Sequence, residues 1–202
     1  MDAAGGPRRI TLTPAARRVL EAAERLFYER GIHAVGVDLI AAEAGVTKKT
    51  LYDRFSSKEQ IVVEYLAARD ERWRAFLDLY LDAAGPKPAA RVLAVFDASR
   101  AWAAEHGSKG CGMVNAHAEI SGSAHPARSV ITGQKQWMLA LFTDLAGGIT
   151  QEGAGRLGKT LMLLHEGALV AHGLDMFADP IGRAREEACA FLAAAERSAT
   201  QR

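Results

Sequence analysis

The stretch of residues 38–55 constrains this chain more than any other, because one glycine separates two short segments with helical patterning. The spacing of apolar residues predicts a short helix over residues 38–44 and a second one that ends near Phe55. Gly45 can adopt the left-handed conformation that a tight turn requires. Thr47 can cap the second helix with its hydroxyl group. Two short helices joined by such a turn form a helix-turn-helix, and the sequence predicts one here.

Small and apolar side chains in the same stretch suit a close helix crossing. Ala41 is small where the two helices must approach each other. Val46 and Leu51 are apolar and can seal the crossing against Ile40. The motif therefore has the residues for a small core of its own.

The rest of the chain reads as further helices separated by glycine and proline. Thr13-Pro14 is typical of a helix start, and Gly31 is typical of a helix end. Later helices are predicted at about 57–82, 89–105, 113–120, 126–146, 156–177 and 180–197. Alanine, the best helix former, is frequent, and no strand alternation stands out. We therefore predict an all-α protein of about nine helices, and no run is long enough for a transmembrane helix.

The second helix of the motif carries a face that suits DNA. Its N-terminal end is cationic and dipole-positive, and Lys49 can donate to guanine O6 or N7. Thr50 can reach a thymine methyl group or a phosphate, and Tyr52 can bond a phosphate. Asp53 can accept from cytosine N4 or pair with Lys49. The predicted DNA-contacting residues are Thr47, Lys48, Lys49, Thr50, Tyr52, Asp53 and Lys58.

Charge over the whole chain adds little to this prediction. The net charge is only +1, and residues 1–60 carry ten Lys/Arg against eight Asp/Glu. Attraction to nucleic acid is therefore expected to be local, on the motif and on a basic arm that ends in Arg8-Arg9.

These residues resemble the TetR family of one-component regulators. The likeness runs from about residue 13 to 66 and is most specific over 31–60. The Ala-Gly-Val-Thr turn at 44–47, Leu51-Tyr52, Phe55 and Ser57-Lys58-Glu59 stand at the family's spacing. A second likeness is the run of Gly110-Cys111, Asn115, Glu119 and His125-Pro126. Two positions depart from the pattern: Lys49 stands where glycine is frequent, and Gly36 where a hydroxyl residue commonly caps the first motif helix.

The resemblance implies two domains and a regulatory function. Residues 1–56 would form an arm and the DNA-binding domain, and residues 57–202 an effector-binding and dimerisation domain entered through a long linking helix. A homodimer would bind a palindromic double-stranded operator, with half-sites on the order of 34 Å apart. A small-molecule effector would release it, and repression is the family's usual mode. No catalytic residue, cofactor, metal or membrane is expected, and the cytoplasm is the expected location.

The dimer is expected to form through the last two helices. The helix at 156–177 carries two apolar stripes, one of which extends to Met176, and the helix at 180–197 carries a third that includes Phe191. Two stripes on one helix indicate two neighbours, one of which can be the other subunit.

Residues for the effector pocket are predicted from bulky or polar groups on otherwise apolar helices. They are Trp102, Met113, Asn115, His117, Trp137, Met138, Phe142 and His165. Ordinary core packing is the alternative for each of them.

Three other functions have partial support from patterns in the sequence. Residues 153–160 match the P-loop pattern, although no apolar strand precedes them, so a nucleotide-binding enzyme is disfavoured. Histidines at 117, 125, 165 and 172 leave a metal-responsive regulator open, although their spacing matches no dedicated zinc pattern. Cys111 with a distant histidine is a weak signal for a hydrolase. An oxidation sensor and an unreactive buried thiol are the other interpretations of this residue.

Overall fold

A computed structural model describes residues 9–107, 109–120 and 122–200, with the side chain of residue 200 left out. Within these ranges the chain forms nine α-helices and no strand, which confirms the predicted all-α fold. The helices are α1 Pro14–Arg30, α2 Val37–Glu43, α3 Lys48–Phe55, α4 Lys58–Ala83, α5 Pro88–His106, α6 Gly112–Glu119, α7 Ala127–Gly147, α8 Ala154–Gly173 and α9 Pro180–Thr200. None of the described helices is both long enough and apolar enough to cross a membrane. Residues 1–8 of the predicted arm lie outside the described residues.

Most helix ends lie within two residues of the predicted ones, and the end of α8 is the main exception. Helix α8 stops at Gly173, where Asp175 takes a left-handed φ of 50° and donates its backbone N–H to the carbonyl oxygen of His172. Met176, predicted to lie on a stripe of this helix, is exposed beyond its end. The apolar residues after Gly173 continue the helical pattern, so hydrophobic spacing alone does not mark this end.

The helices group into two compact units. The first unit contains the chain up to Glu71 together with Gly112–Gln134, and the second contains Arg72–Cys111 and the chain from Lys135 onward. Helices α4 and α7 each contribute residues to both units. The predicted functional boundary at residues 56 and 57 stays a prediction.

The first unit is built on α1, which buries one face against α2 and α3. Thr13 caps this helix by accepting a hydrogen bond from the Ala16 backbone N–H at 3.3 Å. The buried residues of α1 are Ala16, Val19, Ala22, Ala23, Leu26 and Phe27. Helix α6 belongs to the same unit, and its Glu119 carboxylate accepts a hydrogen bond from the His33 backbone N–H at 2.7 Å. This contact holds the segment between α1 and α2.

The second unit is a helical bundle in which α9 packs against α5 and α8. Ile181, Ala184, Ala188 and Leu192 form the buried stripe of α9, as the sequence predicts. Phe191, assigned to the same stripe, is 44% exposed. Two ion pairs tie the surface of this bundle together, from Arg185 to Asp97 at 2.7 Å and from Arg100 to Asp179 at 2.8 Å.

Candidate nucleic-acid interface

The turn between α2 and α3 has the geometry that the helix-turn-helix prediction requires. Gly45 has a φ of +60°, in the left-handed region that favours glycine. The Val46 backbone N–H donates to the carbonyl oxygen of Ala41 at 3.0 Å, which folds the chain back across the end of α2. Ala41 and Leu51 are both buried, so the two helices meet through small and apolar side chains.

Helix α3 is fixed at both ends of its short length. The Thr47 side chain accepts a hydrogen bond from the Thr50 backbone N–H at 3.1 Å, which confirms the predicted cap. Leu51 and Phe55 are fully buried on the opposite face. Gly36 begins α2 with no side-chain cap, as expected for glycine at that position. The anchored face of α3 therefore sets which of its residues point away from the core.

The residues predicted to contact DNA lie on the outer surface of this motif. Lys49 and Asp53 are exposed, and the part of the chain that the structure describes holds no hydrogen bond between them. Tyr52 is 41% exposed. Thr50 and Lys58 are partly exposed, with Lys58 the first residue of α4.

Lys48 differs from Lys49 because it already has an acidic partner. Its ammonium nitrogen lies 2.9 Å from a carboxylate oxygen of Asp38, at the start of α2. The hydrogen bond and the charge of Asp38 raise the pKa of Lys48, so the lysine remains cationic. This pair links the first turns of α2 and α3, whereas Lys49 remains available to a ligand.

Two arginines of α1 support the motif, and neither was among the residues predicted from the sequence. The Arg18 side chain donates to the carbonyl oxygen of Ala44 at 3.1 Å, which satisfies the end of α2. Arg25 pairs with Glu43 at 2.6 Å. Both contacts join residues 18 or more positions apart, so helical periodicity gives no signal for them.

The last residue of the predicted arm is held by a buried carboxylate of α4. Glu64 is fully buried and accepts hydrogen bonds from the Arg9 side chain and the Ile10 backbone N–H, each at 2.8 Å. Gln60 donates a third hydrogen bond to the same carboxylate at 3.0 Å. The buried carboxylate thereby holds the Ile10 N–H and the exposed Arg9 side chain against α4.

A polar groove of about 490 Å³ lies beside the C-terminal end of α3. Its lining residues are Arg9, Ile10, Thr11, Thr13, Asp53, Arg54, Ser56 and Gln60. Asp53 therefore faces a groove that also holds two arginines. One of them, Arg54, is a cation of α3 that was not among the predicted DNA contacts.

The eight residues predicted for the effector pocket fall in both compact units. Met113, Asn115 and His117 lie on α6 in the first unit, where Met113 is buried and the other two are exposed. Trp102, Trp137, Met138, Phe142 and His165 lie on α5, α7 and α8 in the second unit. The structure thus brings together only the second group, and a role in effector binding stays a prediction for all eight.

The five residues of the second unit have defined neighbours in its core. The Trp102 ring stacks on His106 with centroids 3.7 Å apart, and Trp137 lies beneath the Arg74 guanidinium at 3.9 Å. Met138 is buried, and its sulfur accepts the indole N–H of Trp73 at 3.5 Å.

His165 is the most deeply buried polar residue of this group. Its Nε2 atom lies 2.8 Å from the Ser99 hydroxyl, and its ring contacts Phe96 and Phe142 edge-on. Among the described residues, no three His, Cys, Asp or Glu side chains gather as ligands for a metal ion.

The match to the P-loop pattern lies at the start of a helix. Gly153 precedes α8, and residues 154–160 form its first turns. Gly158 is buried where α8 crosses α7, and a Cβ there would lie 2.8 Å from the Cα of Thr143. Close helix packing explains this glycine, and in the described chain α7 rather than a strand precedes the motif. The nucleotide-binding alternative therefore lacks the strand-loop-helix context that it requires.

Comparison with known proteins supports the same region as a DNA-binding motif. The family model described as "Bacterial regulatory proteins, tetR family" matches residues 19–65. Over 66 residues the chain is 46% identical to the HTH-type transcriptional activator FasR of Mycolicibacterium smegmatis, a match that covers 31% of this chain and 30% of that protein. It is 43% identical over 67 residues to the transcriptional repressor KstR2 of the same organism, covering 32% and 29%. The chain thus spans less than a third of the length of these curated relatives.

A solved structure extends the likeness over almost the whole chain. The crystal structure of a TetR-family transcriptional regulator from Streptomyces coelicolor is 32% identical, with a TM-score of 0.79, and the match covers 92% of this chain and 95% of that one. Both the helix-turn-helix and the helical remainder are included in that coverage. This chain belongs to the TetR family of transcriptional regulators.

Proposed function

We propose that this TetR-family protein is a repressor that binds a palindromic operator as a homodimer and leaves it when a small-molecule effector binds. The proposal rests on the way helix α3 is held: Thr47 caps it, and the buried side chains of Leu51 and Phe55 anchor it to the core. A recognition helix must be held rigidly at its base and carry free polar groups on its outer face. Such a protein acts on chromosomal DNA, so its location is the cytoplasm.

The outer residues of α3 divide into base-reading and backbone-contacting groups. Lys49 reads guanine in the major groove, because it is exposed and not neutralised as Lys48 is. Thr47, Thr50 and Tyr52 bond phosphates, and Lys58 contacts the backbone from the start of α4. Lys48 contributes its charge while it keeps α2 and α3 together, and Asp53 accepts from cytosine N4.

The dimer forms through α8 and α9, the two helices that the sequence predicts for it, although the exposed residues of α8 lie on neither of its predicted stripes. Leu163 is 75% exposed and Val170 is 46% exposed on one face of α8, and Phe191 is exposed on α9. Large apolar side chains in such a cluster favour association, because burial removes them from water. A two-fold interface would use the same patch on both subunits.

The effector binds among the aromatic residues of the second unit. Trp102, Trp137 and Phe142 supply apolar walls, and Phe142 lies beside the His165 ring, whose two nitrogens face Ser99 and Glu166. All three tryptophans of the chain, Trp73, Trp102 and Trp137, belong to this unit. Binding is therefore expected to change tryptophan fluorescence, and effector and DNA would weaken each other by the same factor.

Selection of random duplex DNA by the purified protein tests the proposed DNA recognition. We expect an enriched palindrome whose half-sites are centred on the order of 34 Å apart. A Lys49→Ala variant is expected to lose preference at one base pair of each half-site. Enrichment of a single unrepeated half-site would contradict the dimer, and no enrichment in 50 mM salt would contradict DNA recognition.

Sedimentation equilibrium tests the dimer separately. A Leu163→Glu variant places a charge at the centre of the proposed interface and is expected to be monomeric. Leu79→Glu is the matched control, because Leu79 is 68% exposed on α4, outside the proposed interface. Equal association of the two variants would contradict an interface through α8.

A further inference from the structure

The chain has two cysteines in very different surroundings. Cys111 is half-buried directly before α6, and its sulfur lies 3.1 Å from the ammonium nitrogen of Lys135. Cys189 is exposed on α9. Accessibility alone would make Cys189 the more reactive thiol, so any preference for Cys111 would arise from its neighbours.

Lys135 is held against the sulfur by an acidic partner. Its ammonium nitrogen lies 2.8 and 2.9 Å from the two carboxylate oxygens of Glu166 on α8. Burial works against the charge, but the Cys111 sulfur and the Glu166 carboxylate raise the pKa of Lys135 above its ordinary value. The lysine therefore stays cationic at neutral pH.

The acidic partner is itself positioned from the core of the second unit. Burial disfavours its charge, but His165 and Lys135 together lower the pKa of Glu166 to about 2. The Nδ1 atom of His165 lies 3.4 Å from Glu166, and its Nε2 atom lies 2.8 Å from the Ser99 hydroxyl. Side chains from three helices thus form a continuous row of contacts that ends at the Cys111 sulfur. The row runs through Ser99 on α5, His165 and Glu166 on α8, and Lys135 on α7.

The backbone before Cys111 is also fixed. Gly110 has a φ of +72°, and a Cβ at this position would lie 2.6 Å from the carbonyl oxygen of Leu169 on α8. A glycine is therefore required for this close approach, which sets the position of Cys111 relative to α8.

We propose that Cys111 is a covalent modification site for electron-poor alkenes, with Lys135 as the group that favours the thiolate. An ammonium beside a sulfur promotes the nucleophilic thiolate form, and a soft carbon electrophile is its natural reactant. The row of contacts has no part in the DNA recognition proposed above, and the inference does not depend on it.

The reaction balances without an oxidant. The Cys111 proton leaves to water, and the thiolate sulfur forms a bond to the β-carbon of the alkene. The π-electron pair moves to the α-carbon and its conjugated carbonyl group. A water molecule protonates that carbon, and the hydroxide that it leaves neutralises the proton released by Cys111. The net result is addition of S–H across the carbon–carbon double bond.

N-ethylmaleimide is the probe, and peptide mass spectrometry follows its addition to Cys111 and Cys189 in the same sample. At pH 7 we expect Cys111 to react faster than Cys189 in the protein without substitutions. Lys135→Gln is expected to slow Cys111 roughly tenfold and to leave Cys189 unchanged. At pH 10, where thiols ionise without help, the two proteins are expected to react alike. Lys159→Gln is the control, because it removes an exposed lysine of α8 in the same unit.

Lys135→Arg tests whether the loss comes from the missing charge or from the substitution itself. Because it keeps a cation beside the sulfur, it is expected to recover most of the rate of addition to Cys111. Equal Cys111 rates at pH 7 in the unmodified protein and Lys135→Gln would overturn the proposal. A loss of the same size at pH 7 and pH 10 would also overturn it, because that pattern indicates altered access to the sulfur.

Discussion

Replacing Gly45 with alanine tests whether the turn of the helix-turn-helix needs glycine for its backbone alone. The φ of this residue is +60°, and no atom beyond its two chain neighbours lies within 4 Å of the place that a Cβ would occupy. The substitution therefore causes no clash. Its cost is that of holding an L residue in the left-handed region, about 1–2 kcal/mol. We expect urea unfolding, monitored by circular dichroism, to show this loss. Thermal unfolding is expected to show a fall in Tm of about 2–8 °C.

Two further variants separate the backbone effect from loss of glycine in general. Gly133 lies in α7 within the first unit, has no atom near its Cβ position and has no positive φ. Gly133→Ala is therefore expected to stabilise the protein by about 0.5–1 kcal/mol. Gly45→Asn is expected to lose less than Gly45→Ala, because asparagine tolerates the left-handed region. A Gly45→Ala variant as stable as the original protein would refute the reasoning.

Three other substitutions test contacts within single units. Glu166→Gln should lower the free energy of unfolding at pH 7. Because the pKa of Glu166 is depressed to about 2, the stability that its charge contributes is lost as pH falls from about 4.5 towards 2. Urea titrations should therefore show the free energies of unfolding of the two proteins becoming equal over that range. Glu64→Ala should cost about 1–3 kcal/mol and speed hydrogen exchange at the Ile10 amide, whose partner it removes; unchanged exchange would contradict this. Gly158→Ala should cost about 1–3 kcal/mol in thermal unfolding, because its Cβ meets the backbone of Thr143; an unchanged Tm would count against close packing there.

The helix-turn-helix could be predicted from the sequence because its determinants are local. The φ of Gly45 and the cap by Thr47 involve residues at most three positions apart. The buried faces of α3 and α9 follow from helical periodicity in the same way. Capping and spacing therefore placed most helices to within two residues.

Contacts between distant residues could not be predicted in this way. Arg18 on Ala44 and Lys135 on Cys111 join helices that the sequence alone does not orient. The eight predicted pocket residues were chosen by side-chain type, and the structure divides them between two units. Exposure of Leu163 likewise depends on where α9 lies, so the stripes predicted on α8 did not include it.

The central claim is that the exposed face of α3 reads an operator, and salt-dependent affinity for the selected duplex tests it most directly. Fluorescence anisotropy would compare the original protein with Lys49→Ala and with Lys87→Ala, a change of an exposed lysine outside the first unit. We expect Lys49→Ala to weaken binding by about 1–3 kcal/mol. Lys87→Ala should bind as the original protein does, with the same dependence on salt. Equal affinity of all three proteins would contradict DNA reading by α3.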